Sequence, residues 1–472
     1  MLKTKSLVLI LTLIGLISTA NAQEGYNIEV KIKGFENQDA ILGYYSNKNM
    51  YVTDTVPFNE QGVARFKNEK SLPGGVYLIY LPNGKYFDIM IDKEQYFSLM
   101  TDTTDLIENL VVEGSLDTKL FTEYQQFIRT EQSKASPLQE KIKAENDLAK
   151  KEELQAQFAK IDEEVKNYWK ESAAKYPNTF YSAFIKGLQD PQAPEFVVPD
   201  HIQNKDSAQQ MMNYMFYSRH YFDNIDFTDQ RFLRTPYFAQ KLDTYFDRML
   251  VQNPDTLSEA AIRLIERSKT NKEMFQFVTQ YLFNKFNDNK IMGMENAMVA
   301  LADKYYLNGK AEWASEEFME KLKKHINSIR PTLIGKKAHD LRMESVSGEV
   351  FRLHEINSPI TILIFYEPSC GHCKKDIPKL YKTVFEPYRS KGVQAFAVYS
   401  LNDKEEWQDF INEHELFNWI NVYDPYNETN FRNYFDIRAT PMIYVLDKDK
   451  KIVGKRMDID QMPGFIDYLL QK

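Results

Sequence analysis

Tyr366-Glu367-Pro368-Ser369-Cys370-Gly371-His372-Cys373 is the stretch on which the reading of this 472-residue chain turns. It closes the continuous apolar run Ile360–Tyr366, the pattern of a strand buried on both faces, and leads into Lys374–Tyr388, whose periodicity is helical. Two residues between the cysteines let both sulfurs meet in the first turn of a helix, where unpaired backbone N–H groups and the helix dipole favour a thiolate. A free thiol titrates near pH ~8.5, and this setting lowers the pKa of Cys370, the more exposed sulfur, making it the nucleophile. Cys373 lies one turn inside the helix, placed to resolve a mixed disulfide. A disulfide closing so short a loop constrains little of the unfolded chain, so the pair reads as chemistry rather than as a structural staple.

Working outward, strands continue at Val393–Tyr399 and Trp419–Tyr423, and Met442–Leu446 with Ile452–Arg456 form a hairpin around Asp447-Lys448-Asp449-Lys450. That turn lacks the glycine and terminal Glu of a calcium loop. Helical patterns occupy Asp403–Glu413, Glu428–Phe435 and Gln461–Leu470. The alternation implies βαβ units and a mixed, partly parallel sheet covered on both faces.

With Lys374-Lys375-Asp376-Ile377-Pro378 following the cysteines and Arg438-Ala439-Thr440-Pro441 far downstream, the segment resembles the redox-active thioredoxin fold. More closely, it is similar to the TlpA-like branch of envelope thioredoxins of Gram-negative bacteria. Pro378 falls where that family has a helix-kinking proline, and Thr440-Pro441, just before an apolar strand, falls where it has a cis-proline facing the disulfide. Ile334-Gly335-Lys336-Lys337-Ala338 and Asp340-Leu341 resemble the lead-in to such domains, with His339 where proline is more usual. The resemblance covers about Thr332 to Lys472. It implies an α/β thioredoxin-like domain and a thiol–disulfide oxidoreductase without cofactor, in which Cys370 and Cys373 form the redox-active disulfide. Thr440 and Pro441 would then position a substrate strand, and the partners would be protein thiols and disulfides together with an upstream redox partner.

Where the family often has tryptophan before the first cysteine, this chain has Ser369. Where thioredoxins bury an acid, six residues before that cysteine, it has Ile364, so another group must take the proton from Cys373. Asp376, three residues after Cys373 and on the same helix face, matches the acid of envelope thioredoxins that act as reductants; Glu367 is the competing candidate. His372 is similar to the histidine in the Cys-Gly-His-Cys of disulfide isomerases. An imidazolium there favours the Cys370 thiolate and hence the reduced form, moving the couple from about −270 mV toward about −180 mV. The Pro-X-X-X-Thr-X-X-Cys setting of thioredoxin-fold peroxidases is absent, which disfavours that activity.

Upstream the texture changes twice. Tyr26 to about Gly114 has short alternating runs (Tyr26–Lys33, Ala40–Tyr45, Val63–Phe66, Gly75–Leu81, Phe87–Ile91, Tyr96–Met100) cut by turn residues, the pattern of an all-β sandwich or open barrel. From Ser115 to Arg330 the period is helical: one long exposed helix over Leu138–Ala174, then aromatic amphipathic helices at Met211–Phe222, Tyr237–Leu250, Ser258–Arg267 and Lys272–Phe286. Tyr214, Phe216, Tyr217, Tyr221 and Phe222 read as core. The chain therefore divides into a leader (1–22), a β-sandwich-like domain (23–114), a helical domain (115–330) and a thioredoxin-like domain (331–472).

The leader carries Lys3 and Lys5, an apolar run from Leu7 to Ile17 and small residues at Ala20 and Ala22, the signature of a secretory signal cleaved after Ala22. Its run falls short of the roughly 18–20 residues that span a bilayer, and no later segment is long and apolar enough to do so. The expected location is the periplasm. A net charge of −8 is the wrong sign for a nucleic-acid partner. Two cysteines cannot make a four-ligand zinc site alone, and His201, His220, His325, His339, His354 and His414 are scattered without metal spacing, as surface or helix-end residues are. The oligomeric state is not legible. One reading of another class stands beside the enzyme: an envelope binding or scaffold protein whose β and helical modules hold a partner, with the CxxC as a redox-regulated latch.

Overall fold

A computed structural model describes residues 24–471. The stretch Met1–Ala22, expected from sequence to be a secretory leader, lies outside the described residues. The architecture is multidomain: β sheets first, a helical region next, and a C-terminal thioredoxin-like sheet flanked by helices. Two compact units divide the chain. The first runs to Gln192 and includes Phe222–Ile225 and Arg231–Gln240; the second holds Ala193–Tyr221, Asp226–Gln230 and Lys241–Lys472.

In the first unit, β1 (Tyr26–Ile32), β2 (Asp39–Ser46), β3 (Asn49–Pro57), β4 (Val63–Asn68), β5 (Gly75–Tyr80), β6 (Tyr86–Ile91), β7 (Tyr96–Thr101) and β8 (Val111–Glu113) form two four-stranded sheets, ordered β4-β1-β7-β8 and β3-β2-β5-β6. Alternate residues such as Ile28, Val30, Leu42, Ile79, Phe87 and Leu99 share one core. Strand β3 has no counterpart among the predicted runs. It is an edge strand whose side chains are almost all exposed, so it shows no alternation, and its pairing with β2 alone makes it a strand.

The predicted single helix over Leu138–Ala174 is instead two: α1 (Leu116–Ala144) and α2 (Leu148–Lys175), packed on each other. The break falls where the Asp147 carboxylate accepts from the backbone N–H groups of Ala149 and Lys150 and starts a new helix. With α3 (Phe180–Leu188), α1 covers the second sheet through Val76, Met90, Phe121, Phe180 and Tyr181. Asp117, buried in the first turn of α1, accepts from the Tyr181 backbone N–H at 2.7 Å.

The helices that follow are α4 (Lys205–His220), α5 (Phe238–Thr244), α6 (Pro254–Ser268), α7 (Lys272–Asn287), α8 (Met294–Leu301) and α9 (Glu316–Ile329). Helix α4 corrects one expectation: none of its residues is buried, and Tyr214, Phe216 and Tyr217 are half-buried, while Tyr221 and Phe222 just beyond it are core.

The C-terminal sheet is built from β9 (Arg342–Glu344), β10 (Val350–Arg352), β11 (Ile360–Tyr366), β12 (Gln394–Tyr399), β13 (Ile420–Tyr423), β14 (Met442–Asp447) and β15 (Ile452–Lys455), in the order β10-β9-β13-β12-β11-β14-β15. Strands β11, β12 and β13 are parallel, and β14 joins β11 antiparallel. Every residue of β11 is buried. Ile362, Ile364 and Tyr366 face one core, with Cys373, Ile377, Trp407 and Ile466, while Leu363 and Phe365 face another, with Phe396, Val398 and Phe435.

The helices here are α10 (Gly371–Leu380), α11 (Glu386–Arg389), α12 (Lys404–Glu413) and α13 (Met462–Leu470), α10 running into α11 through a wide π turn at Tyr381–Phe385 after Pro378. The predicted helix at Glu428–Phe435 shrinks to a single 3-10 turn, Phe431–Asn433, because Asn427 and Asn430 adopt left-handed backbone at φ +53° and +49°. No helix among the described residues is long and apolar enough to cross a membrane.

Candidate active site

The apolar strand β11 ends at Tyr366, and Glu367-Pro368-Ser369 turn the chain into α10 with Cys370 as its N-cap residue. Cys370 is partly exposed and Cys373, inside the first turn, is wholly buried; both are free thiols. The register of β11 against β14 pairs Phe365 with Met442, which brings Pro441 opposite the strand end from which the cysteines emerge. The Thr440–Pro441 peptide is cis.

The two sulfurs differ sharply in acidity. The Thr440 side chain, then the backbone N–H groups of Cys373 and His372, hydrogen-bond the Cys370 sulfur and bring its pKa down to about 7. When protonated, Cys370 donates to the Thr440 carbonyl oxygen at 3.3 Å. Burial drives Cys373 the other way, to about 12, against the opposing pull of the Glu367 backbone N–H, which donates to its sulfur at 3.5 Å. At neutral pH one sulfur is therefore half ionised, and the other holds its proton until a partner group removes it.

The remaining predicted residues lie around this pair. His372 is exposed in the first turn of α10, and its main chain reaches the Cys370 sulfur. Asp376 and Glu367 are both half-buried, Asp376 one turn beyond Cys373 and Glu367 at the end of β11. Ile364, at the position where thioredoxins bury an acid, is fully buried in the core that contains Cys373.

Two features escape a motif reading. Beneath Cys373, in the same core, the buried Tyr366 hydroxyl accepts from the Trp407 indole N–H at 2.8 Å, and Tyr399 stacks on Trp407 with ring centroids 5.5 Å apart. Nothing but the strand-end position of Tyr366 and the amphipathic pattern of α12 could have signalled this floor.

The second feature is a charged brace on the segment that carries Thr440. Buried Asp436 accepts from Arg438 Nε at 2.8 Å and pairs with Arg456, which reaches Glu295 of α8 at 2.8 Å; Lys455 pairs with Glu295 as well. Arg438 also donates to Nδ1 of His325, on α9, at 2.8 Å. Burial, then the Arg438 charge, lowers the pKa of His325 and keeps its imidazole neutral, as an acceptor must be. His325, read from sequence as a surface or helix-end residue, thus ties the helical region to the Thr440 segment. Among the described residues no three or more His, Cys, Asp or Glu side chains converge as a metal site.

The model of the AhpC/TSA family matches residues 334–455, and two domains of unknown function, DUF4369 and DUF5106, match residues 26–121 and 147–330. None of the curated proteins matches the chain.

Among solved structures, a domain of a possible thiol-disulfide isomerase from Cytophaga hutchinsonii is 38% identical over 30% of this chain and 95% of its own, with a TM-score of 0.29. A thioredoxin-like protein from Bacteroides caccae is 22% identical over 59% of this chain and 99% of its own, with a TM-score of 0.43. A thiol:disulfide interchange protein from a Bacteroides species is 22% identical over 30% of this chain and 93% of its own, with a TM-score of 0.28. Through residues 334–455 the chain therefore belongs to the thioredoxin-like AhpC/TSA family of domains, carried behind two domains of unknown function.

Proposed function

We infer that the protein exchanges thiols and disulfides with other proteins of the cell envelope, as a reductant or isomerase, through the dithiol Cys370/Cys373. In the reducing direction the Cys370 thiolate attacks one sulfur of a substrate disulfide, forming a mixed disulfide and expelling the other sulfur as a thiolate. Asp376 or Glu367 takes the proton of Cys373, whose thiolate then attacks Cys370. The second substrate thiol leaves, the Cys370–Cys373 disulfide forms, and two electrons have passed to the substrate. An upstream dithiol returns the pair to its reduced state.

The split in acidity between the sulfurs carries this reading. A nucleophile at about 7 and a resolving thiol at about 12 separate attack from resolution in the manner this chemistry needs. A nucleophile at about 7 also matches thioredoxin and lies far from the roughly 3.5 of a strong oxidant, which favours the reductive and isomerising roles. Export to the periplasm rests on the leader Met1–Ala22 and makes Gln23 the first residue of the mature chain.

The test is Cys373→Ala, which leaves attack intact and removes resolution. The variant is expected to accumulate covalent complexes with envelope proteins that are released by reductant and lost in the Cys370→Ala/Cys373→Ala double variant. No such complexes would refute the mechanism.

A further inference from the structure

Ser400, 5% exposed, follows directly on β12, and its backbone N–H donates to the carbonyl of Tyr366 at 3.0 Å, so it sits beside the chain as that chain leaves β11 toward Cys370. It lines a cavity of about 280 Å³ beyond the carboxyl ends of β12 and β13, the side on which open α/β sheets hold ligands. The Ser400 hydroxyl is buried there without a hydrogen-bond partner. A buried polar group left unpaired is unfavourable, and a turn about the Ser400 Cα–Cβ bond would let the hydroxyl pair with a group that enters the cavity.

The other polar walls are Asn402, Asn427, Asn430, Arg432 and Asn433. The left-handed backbone at Asn427 and Asn430 that breaks the expected helix is what turns this loop around the cavity. Arg432 is held in place, donating to the Ser400 carbonyl at 2.5 Å with its guanidinium over the Phe431 ring. Asp424, also in the wall, has both carboxylate oxygens taken: one by the Glu428 N–H, the other by the N–H and hydroxyl of Thr429. The carboxamides therefore dominate what an incoming group meets, and each pairs one acceptor with two donors, the complement of a main-chain amide. The cavity is also smaller than the roughly 300–1,000 Å³ of sites that enclose whole small ligands, which suits a short piece of a longer chain.

The geometry points to a peptide subsite: the cavity lined by Ser400, Asn402 and Asn433 binds the polypeptide flanking the target cysteine through its main-chain amides. The assignment rests on the thiol–disulfide reading above and adds to it the place where the chain beside the target cysteine is held.

The test follows one turnover of the reduced full-length chain against two oxidants: a disulfide-bonded peptide and 2-hydroxyethyl disulfide, which has no amides. Asn402→Ala/Asn433→Ala removes two exposed side chains, and Ser400→Ala removes the buried hydroxyl. Each is expected to slow reduction of the peptide about tenfold and to leave that of 2-hydroxyethyl disulfide within twofold, which also shows the variants to be folded. Equal rates of variant and parent on the peptide, or an equal loss on both oxidants, overturns the subsite. If the unmodified protein reduces neither oxidant, the thiol–disulfide reading fails and the subsite with it. If it reduces both and the variants do not discriminate, only the subsite fails.

Discussion

Replacing Thr440 by Val keeps the β-branched shape beside Pro441 and removes the hydroxyl that contributes most to lowering the Cys370 pKa. The whole displacement, from the ordinary thiol value to about 7, is shared among Thr440, two backbone N–H groups and lesser contributions, so losing the largest share returns the thiol to about 8. At pH 7 the thiolate fraction then falls from about one half to about one tenth. A more basic thiolate is a better nucleophile, and the rise of one unit returns a factor of about three.

The net expectation is a rate of attack on a small disulfide about twofold lower at pH 7 and about threefold higher at pH 9, with the midpoint of the pH–rate profile moved up by about one unit. The assay is the second-order rate of Cys370 with 2-hydroxyethyl disulfide from pH 5 to 10, alongside thiolate absorbance. An unmoved midpoint would refute the assignment of Cys370 acidity to Thr440. A uniform loss at every pH would mean that Thr440 acts on substrate position alone.

If Asp376 takes the proton of Cys373, Asp376→Asn slows release of the second substrate thiol from the mixed disulfide and leaves the Cys370 profile untouched; slow release in Glu367→Gln instead assigns the role to Glu367. Because Arg438 holds the Thr440 segment against His325 of α9, His325→Ala is expected to raise the KM for a protein disulfide severalfold with no change in the Cys370 titration, and His325→Asn, which keeps an acceptor, to recover part of the loss; equal KM values in all three proteins would remove the brace from the mechanism. In the first turn of α1, burial raises the pKa of Asp117 to about 6, above its unfolded value, so the carboxyl favours folding most when protonated and the contribution declines as pH rises through 6. Asp117→Asn should flatten that decline in denaturant unfolding, whereas Asp117→Ala, which leaves the Tyr181 N–H without its acceptor, costs about 1–3 kcal/mol.

Much of this protein is legible from local chemistry. The apolar run ending at Tyr366, the two-residue spacing of the cysteines and the helical pattern after them place a thiol pair at the start of a helix, since backbone geometry over ten residues is set by those residues. The alternating runs from Tyr26 onward reveal six of the eight strands of the first sheets, those with one face buried: β8 is too short for a pattern and β3 too exposed. The helix expected over Glu428–Phe435 fails because two asparagines in left-handed backbone outweigh an amphipathic pattern.

What the sequence by itself determined is the kind of chemistry, two thiols of unequal exposure at a helix N-terminus, because spacing and dipole act within one turn. Tertiary structure alone decided what that pair meets. The β11–β14 register sets Pro441 before the thiols, the Tyr366–Trp407 hydrogen bond lies in the core around Cys373, and from helices more than a hundred residues upstream His325 reaches Arg438 while Glu295 reaches Arg456, the partner of Asp436. Contacts of that kind depend on which distant faces are buried together, and no local pattern records it.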